Sequence, residues 1–213
     1  GLDDAYVEMI QTRGISQNLQ RDPRKATPRF MAFAVPFGWI LEPQNFESGL
    51  KVIVSDRRRI SPDSIDSRIK NYHWLDLVSG MYEAYDSNSD TVILTDEKNN
   101  ISEGPGFNIF CLNGNGISTP KKGVLEGITR QTVMELAKEI RLPIKLCSVS
   151  IEMLKESDEV FASSTAGGVM PITSVDNQII GNGSPGPLTR ELHKIYWDKH
   201  DDPKWSTSVK DLV

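Results

Sequence analysis

The sequence is short of the residues from which metal centres and hydrolytic nucleophile sites are built. Only two cysteines, Cys111 and Cys147, and three histidines, His73, His193 and His200, occur among 213 residues. No grouping of them has the spacing of a zinc site, and no Gly-x-Ser-x-Gly elbow accompanies them. His193 and His200 fall in the pattern of a terminal helix, and His73 reads as a structural residue. Glycine-rich phosphate signatures give no lead: no Walker loop occurs. Positive charge is outnumbered, 24 Lys and Arg against 29 Asp and Glu, for a net charge of −5. Arg57-Arg58-Arg59 is the one basic triplet, and it reads as a solvated strand end. This balance argues against nucleic acid as the main partner. No apolar run approaches the roughly 20 residues of a membrane span, and no signal peptide is present. Cys111 lies in an apolar strand pattern and reads as a small core residue. No disulfide is suggested, and a reducing, cytoplasmic compartment fits best.

What is present is an ordinary globular composition, 38% hydrophobic and 25% charged, on a chain long enough for one large domain or two small ones. Residues 5–12 read as a strand that begins almost at once, without an initiator Met, so the chain is expected to be a piece of a longer one. Residues 14–28 are polar, hold two prolines and show no period; they read as a mobile or functional loop. Phe30 to Val35 reads as a buried strand, and Leu50 to Val54 as another. Trp74, Leu77, Val78 and Met81 recur at helical spacing and predict a helix over roughly residues 72–86. Short strands follow at 92–95 and 107–112, and Asn113-Gly114-Asn115-Gly116 signals a hairpin turn. Residues 128–140 form the clearest helix pattern, with Val133, Leu136, Ala137 and Ile140 on one face and Pro143 beyond its end. Strands are predicted at 144–149 and 159–162, a short helix at 151–155, and a hairpin of 169–175 with 178–180 around Asp176-Asn177. A helix over 187–200 closes the chain. Many strands with segregated helices imply an α+β or mixed α/β fold.

Four stretches carry chemistry. Lys70 stands where an extended segment gives way to a helix, among Ile69, Tyr72 and Trp74 and close to Arg68. A lysine that attacks a carbonyl must do so as the neutral amine, which requires burial or nearby positive charge. Alone it is one of thirteen lysines. Glu103, in Ser102-Glu103-Gly104-Pro105-Gly106-Phe107-Asn108, enters a tight turn that can approach a ligand closely. A carboxylate there could hold a protonated pyridine nitrogen, or it could be a solvated turn residue. Gly127-Ile128-Thr129-Arg130 opens the clearest helix, whose free N–H groups attract an anion. Ser163-Ser164-Thr165-Ala166-Gly167-Gly168 follows a strand and offers hydroxyls and backbone N–H groups as a phosphate nest. Either stretch alone could equally be a helix cap or a turn; together they suggest one bound phosphate.

The order Lys70, Ser102-Glu103-Gly104, Gly127-Ile128-Thr129-Arg130 and Ser164-Thr165-Ala166-Gly167-Gly168 resembles that of the fold-type IV pyridoxal-phosphate enzymes. These include branched-chain and D-amino-acid aminotransferases, aminodeoxychorismate lyases and R-selective amine transaminases. Arg58-Arg59-Ile60-Ser61-Pro62, Ile69-Lys70-Asn71-Tyr72-His73-Trp74 and Thr165-Ala166-Gly167-Gly168-Val169-Met170-Pro171 look most like the R-selective group. The resemblance implies the large C-terminal domain of that fold, with mixed sheets in a pseudo-barrel and flanking helices. It would occupy residues 1–213, include the mobile loop at about 14–28, and lack the family's small N-terminal domain. It implies pyridoxal 5'-phosphate held covalently by Lys70, which also moves the proton. Glu103 would pair with the ring nitrogen, Ile128, Thr129 and Thr165 with the phosphate, and Trp74 would line the site. Arg13, Thr165 and Ala166, with Trp74, would meet the substrate, Arg13 swinging in on its loop to hold a carboxylate. The implied reaction is ping-pong transfer of an amino group from an amine or amino acid to a keto acid such as pyruvate, in a homodimer. A lyase on the same scaffold, or a non-catalytic domain keeping the fold, would use the same framework. Pro105 departs from the small hydroxyl residue commoner at its position.

Overall fold

The computed structural model of the chain describes residues 2, 4–114 and 116–209. They fall into two compact units, Gly1–Trp39 and Ile40–Val213.

The first unit is a hairpin. Strand β1 (Ala5–Ser16) pairs antiparallel with β2 (Ala26–Pro36), from Ala5 opposite Pro36 to Ser16 opposite Ala26. The register slips between Thr12 and Ile15, where Gly14 takes φ 82°. A Cβ at Gly14 would lie 1.7 Å from the Thr27 carbonyl oxygen, so only glycine fits this bulge. The expected loop over 14–28 is therefore shorter: it spans residues 17–25 and contains two 3₁₀ turns. Gly14 and Pro28 hid the strand period at both ends. Phe30, Met31, Phe33 and Val35, expected to be buried, are 41–64% exposed. A two-stranded hairpin has no second layer of its own to bury them.

The second unit holds the core. Its strands are β3 (Leu50–Arg58), β4 (Thr91–Thr95), β5 (Asn108–Asn113), β6 (Gly116–Pro120), β7 (Ile144–Cys147), β8 (Glu159–Ser164), β9 (Gly168–Val175) and β10 (Gln178–Ile179). They make one mixed sheet in the order β4-β3-β9-β8-β5-β6-β7, with β10 added against β9. The pairs β3–β4, β3–β9 and β6–β7 are parallel, and the rest are antiparallel. Asn115 of the predicted β5–β6 turn lies outside the described residues. The β9–β10 turn is as expected, with Asp176 and Asn177 both at positive φ.

Helices α1 (Leu75–Asp86), α2 (Ile128–Glu139), α3 (Ile151–Lys155) and α4 (Pro187–Asp198) match the predicted helices closely. α1 begins at Leu75 because Asn71 holds a turn ahead of it, donating to the Ile69 carbonyl and accepting from the His73 N–H. Period-2 alternation divides the strand side chains between two faces. Ile109, Cys111, Ala162 and Met170 join one core cluster; Phe110, Phe161 and Val169 join the other, under α2 and α4. Phe110 and Phe161 stack with centroids 5.0 Å apart. α1 packs Leu77 and Ala84 over Val92 and Leu94. Among the described residues no helix is long and apolar enough to cross a membrane.

Candidate active site

Glu103 lies in the connection between β4 and β5. The chain reaches it from β4 through a turn, with Ser102 and Glu103 exchanging backbone hydrogen bonds with Leu94. Beyond it, Gly104 and Phe107 bond each other across Pro105 and Gly106, the latter at φ 85°. That is a type II turn, which favours Pro at its second position and needs Gly at its third. Pro105, unusual against the resemblance, is well suited to this turn. A Cβ at Gly104 would fall 2.1 Å from the Phe107 ring.

The Glu103 side chain is buried and bound at both oxygens. Arg59 Nε donates to Oε1 at 3.1 Å and the Leu125 N–H to Oε2 at 2.8 Å. Burial pushes the carboxyl above its ordinary range, opposed by the Leu125 N–H and the Arg59 charge. Arg59 was expected to be solvated with Arg57 and Arg58. Those two are exposed, but Arg59 turns inward past the end of β3, where it meets two carboxylates. The second is Asp76, in the first turn of α1, which accepts from Arg59 Nη1 at 2.7 Å. Arg59 and Asp76 were missed as site residues; a charge triplet carries no sign of which member faces in.

Lys70 lies in the irregular segment before α1. It was expected to be buried or beside positive charge. It is exposed instead, because this segment runs over the surface. Among the described residues it makes no hydrogen bond or ion pair. The turn ahead of it is clamped by Asp66, which accepts from the Arg68 backbone and guanidinium and whose carboxyl is pulled down to about 2. Trp74, half-buried just before α1, approaches the Glu103 turn: its ring lies 3.9 Å from where a Gly106 Cβ would stand.

The first cup is the N-terminus of α2. No side chain caps Gly127, so the first-turn N–H groups are free for a ligand. Thr129 is buried there and Ile128 is exposed. Asn108 shapes this turn, its amide donating to the Leu125 carbonyl at 2.9 Å. Arg130 is also buried, donating to the Pro120 carbonyl at 2.8 Å. Burial lowers its pKa against the pull of Glu126 and Glu103. The second cup is the β8–β9 turn. Ser164 Oγ donates to the Gly106 carbonyl at 2.8 Å and accepts from the Ala166 N–H at 3.1 Å. This ties the turn to Glu103's own, but it occupies a backbone N–H that the sequence suggested was open. Thr165 is exposed and Ala166 half-buried. Arg13 lies exposed in β1 of the first unit, next to the bulge.

The amino-transferase class IV family matches residues 1–175. The chain belongs to the class IV aminotransferases. A Methanocaldococcus jannaschii protein named for branched-chain amino-acid transamination is 31% identical over 99% of this chain and 72% of its own length. The Escherichia coli branched-chain-amino-acid aminotransferase is 34% identical over 77% of this chain and 54% of its own. Its solved structure superposes with a TM-score of 0.86, at 28% identity, over 94% of this chain and 69% of that one. The branched-chain amino acid aminotransferase of Thermobaculum terrenum, solved in its pyridoxal-phosphate form, gives a TM-score of 0.83 at 25% identity, over 91% of this chain and 63% of that one. The fold is that of the fold-type IV enzymes, the cofactor is pyridoxal 5'-phosphate and the chemistry is transamination.

The residues present fit that cofactor. Glu103 is an ionisable acceptor held in a dry turn, suited to a ring N–H. The uncapped α2 turn suits a phosphate. Ser163 Oγ is buried with no hydrogen-bond partner. It stands opposite Asn108 in the β5–β8 register, and so on the sheet face that carries the α2 turn. A buried hydroxyl without a partner is costly and marks a place where a ligand atom can bind.

Proposed function

We propose that Lys70 is the catalytic base and covalent anchor, that Glu103 holds the ring nitrogen, and that the α2 and β8–β9 turns hold the phosphate. The observation that carries this reading is Glu103, buried, with one oxygen on Arg59 and the other on the turn leading into α2. The bound cofactor supplies an electron sink for the bond broken at the substrate carbon. Lys70 Nζ would take the proton from that carbon and pass it to the cofactor carbon, and carry it the other way in the second half-reaction. Nζ has no partner among the described residues, but its exposure does not itself supply the neutral amine this role needs. Glu103, accepting from Arg59 at Oε1 and from Leu125 at Oε2, would keep a hydrogen on the ring nitrogen. Ile128 and Thr129 contribute first-turn N–H groups, and Thr129 and Thr165 contribute hydroxyls. Trp74 walls the site next to Gly106.

For substrate, the reading is a branched-chain amino acid as amino donor and a keto acid as acceptor, by a ping-pong route. The support is the naming of the relatives, both curated and solved. The motifs around Lys70 favour an R-amine donor as the second reading. Thr165, Ala166 and Arg13 are assigned to the substrate carboxylate. A homodimer and a reducing, cytoplasmic setting complete the proposal; two free cysteines suit the latter.

The test is a visible spectrum of the protein loaded with pyridoxal 5'-phosphate. The band of a lysine-bound cofactor should appear, bleach with L-leucine, and return on adding 2-oxoglutarate. Lys70→Ala should lack it. The same band in that variant sinks the lysine assignment, and turnover without a keto acid sinks the transferase reading in favour of a lyase. Bleaching by an R-amine but not by L-leucine would select the second substrate reading.

A further inference from the structure

Arg59 is shared. Its guanidinium donates through Nε to Glu103 Oε1 and through Nη1 to Asp76 Oδ2, with a longer contact from Nη1 to the His73 carbonyl at 3.4 Å. All three charged side chains are at most 16% exposed. Asp76 is fixed from behind: the Ile60 N–H donates to Oδ2 at 2.7 Å and the Leu77 N–H to Oδ1 at 2.8 Å. One cation thus stands between two carboxylates in a dry setting, where charges act strongly on one another. Arg130 of α2 is also charge-coupled to Glu103.

We propose that Arg59 is a positioning residue for Glu103 and that Asp76, by sharing the guanidinium, sets how basic the Glu103 carboxylate is. The function follows from the sharing. A guanidinium serving Glu103 alone would stabilise its anion strongly and make it a poor acceptor for a ring N–H. With Asp76 drawing on the same cation, Glu103 keeps more affinity for a proton. The arrangement also joins the carboxylate to the chain segment carrying Lys70, since His73 and Asp76 lie three and six residues beyond it. This rests on the reading of Glu103 as the ring-nitrogen partner.

The two neighbours should act with opposite sign, which a merely structural role would not produce. The Glu103 carboxyl is followed in apoprotein by carbon-13 NMR with labelled glutamate, its signal assigned by loss in Glu103→Gln. Arg59→Met should raise the titration midpoint by about one pH unit or more, and Asp76→Asn should lower it. Arg59→Lys keeps the charge and should restore part of the midpoint if Arg59→Met does not fold. Midpoints that move the same way in the Arg59 and Asp76 variants, or do not move, overturn the proposal. The cofactor reading is tested separately, by nitrogen-15 NMR of ring-labelled pyridoxal 5'-phosphate on the loaded protein. A ring nitrogen signal unchanged in Glu103→Gln defeats that reading whatever the apoprotein titrations show.

Discussion

Asn108 Oδ1 stands 2.5 Å from where a Cβ on Gly127 would be. The residue that opens α2 is therefore held against a side chain from β5, and no other residue fits without moving one of them. Gly127→Ala should push Asn108 away or tilt the first turn of α2, misplacing its N–H groups. The expected result is a loss of about tenfold in pyridoxal 5'-phosphate affinity, the worth of one good hydrogen bond, with the apoprotein still folded. Equilibrium dialysis of the cofactor measures it. Unchanged affinity would show that the α2 turn is not a phosphate cup.

Glu103 should give the apoprotein a pH dependence whose sign follows from its burial. Its folded carboxyl lies above the ordinary range, chiefly because it is buried. A raised acid favours folding while protonated, so its contribution is present at low pH and is lost as pH rises through the folded value. Glu103→Gln removes this slope. Melting curves of the two apoproteins between pH 4 and 8 should converge in slope everywhere except across the Glu103 titration. A slope of opposite sign attributable to Glu103 would mean that Arg59 outweighs burial.

The two thiols should differ sharply. Cys111 is fully buried, and burial pushes its thiol up to about 12; Cys147 is partly exposed. Only thiolates alkylate readily. Iodoacetamide at pH 8 should modify Cys147 in the native protein, and Cys111 only after denaturant is added. Peptide mass spectrometry reads the order directly, and early modification of Cys111 would contradict the packing of β5.

The Phe110–Phe161 stack bears on the second unit's stability. Both rings are fully buried beneath α2 and α4. Phe110→Ala should cost about 3–5 kcal/mol, read as a fall in urea midpoint. The same change at exposed Phe30 in β2 should cost far less.

Much of this was visible before folding because it is periodic. α2 and α4 declare a buried face at helical spacing, and Asp176-Asn177 marks its own turn. Gly127 and Glu103 stood out because each sits at a transition between pattern types. Other parts were hidden for physical reasons. Whether Phe30 and Phe33 are covered depends on a partner layer, which a strand's own residues do not encode. Arg59 cannot be told from Arg58 by composition; which one turns inward is decided by the carboxylates of Asp76 and Glu103, seventeen and forty-four positions away. Ser163 and Ser164 are adjacent hydroxyls, yet one is orphaned and the other fastens two turns together. Alternation decides that, and only after the strand's register is set.

β3 has two neighbours, β4 and β9. Its seam with β9 aligns Leu50 with Ile172 and Val52 with Val175, and it is closed by Thr173 donating to the Ser48 carbonyl and Asp176 accepting from the Val54 N–H. A growing chain thus makes β3, β4 and the lysine segment long before it makes the strand that welds them to β5 and α2. Such distant pairing is slow to form. In this topology the two halves of the proposed cofactor seat are joined only once β9 is in place. Supply of the cofactor should therefore aid the last stage of maturation and leave the earlier ones untouched.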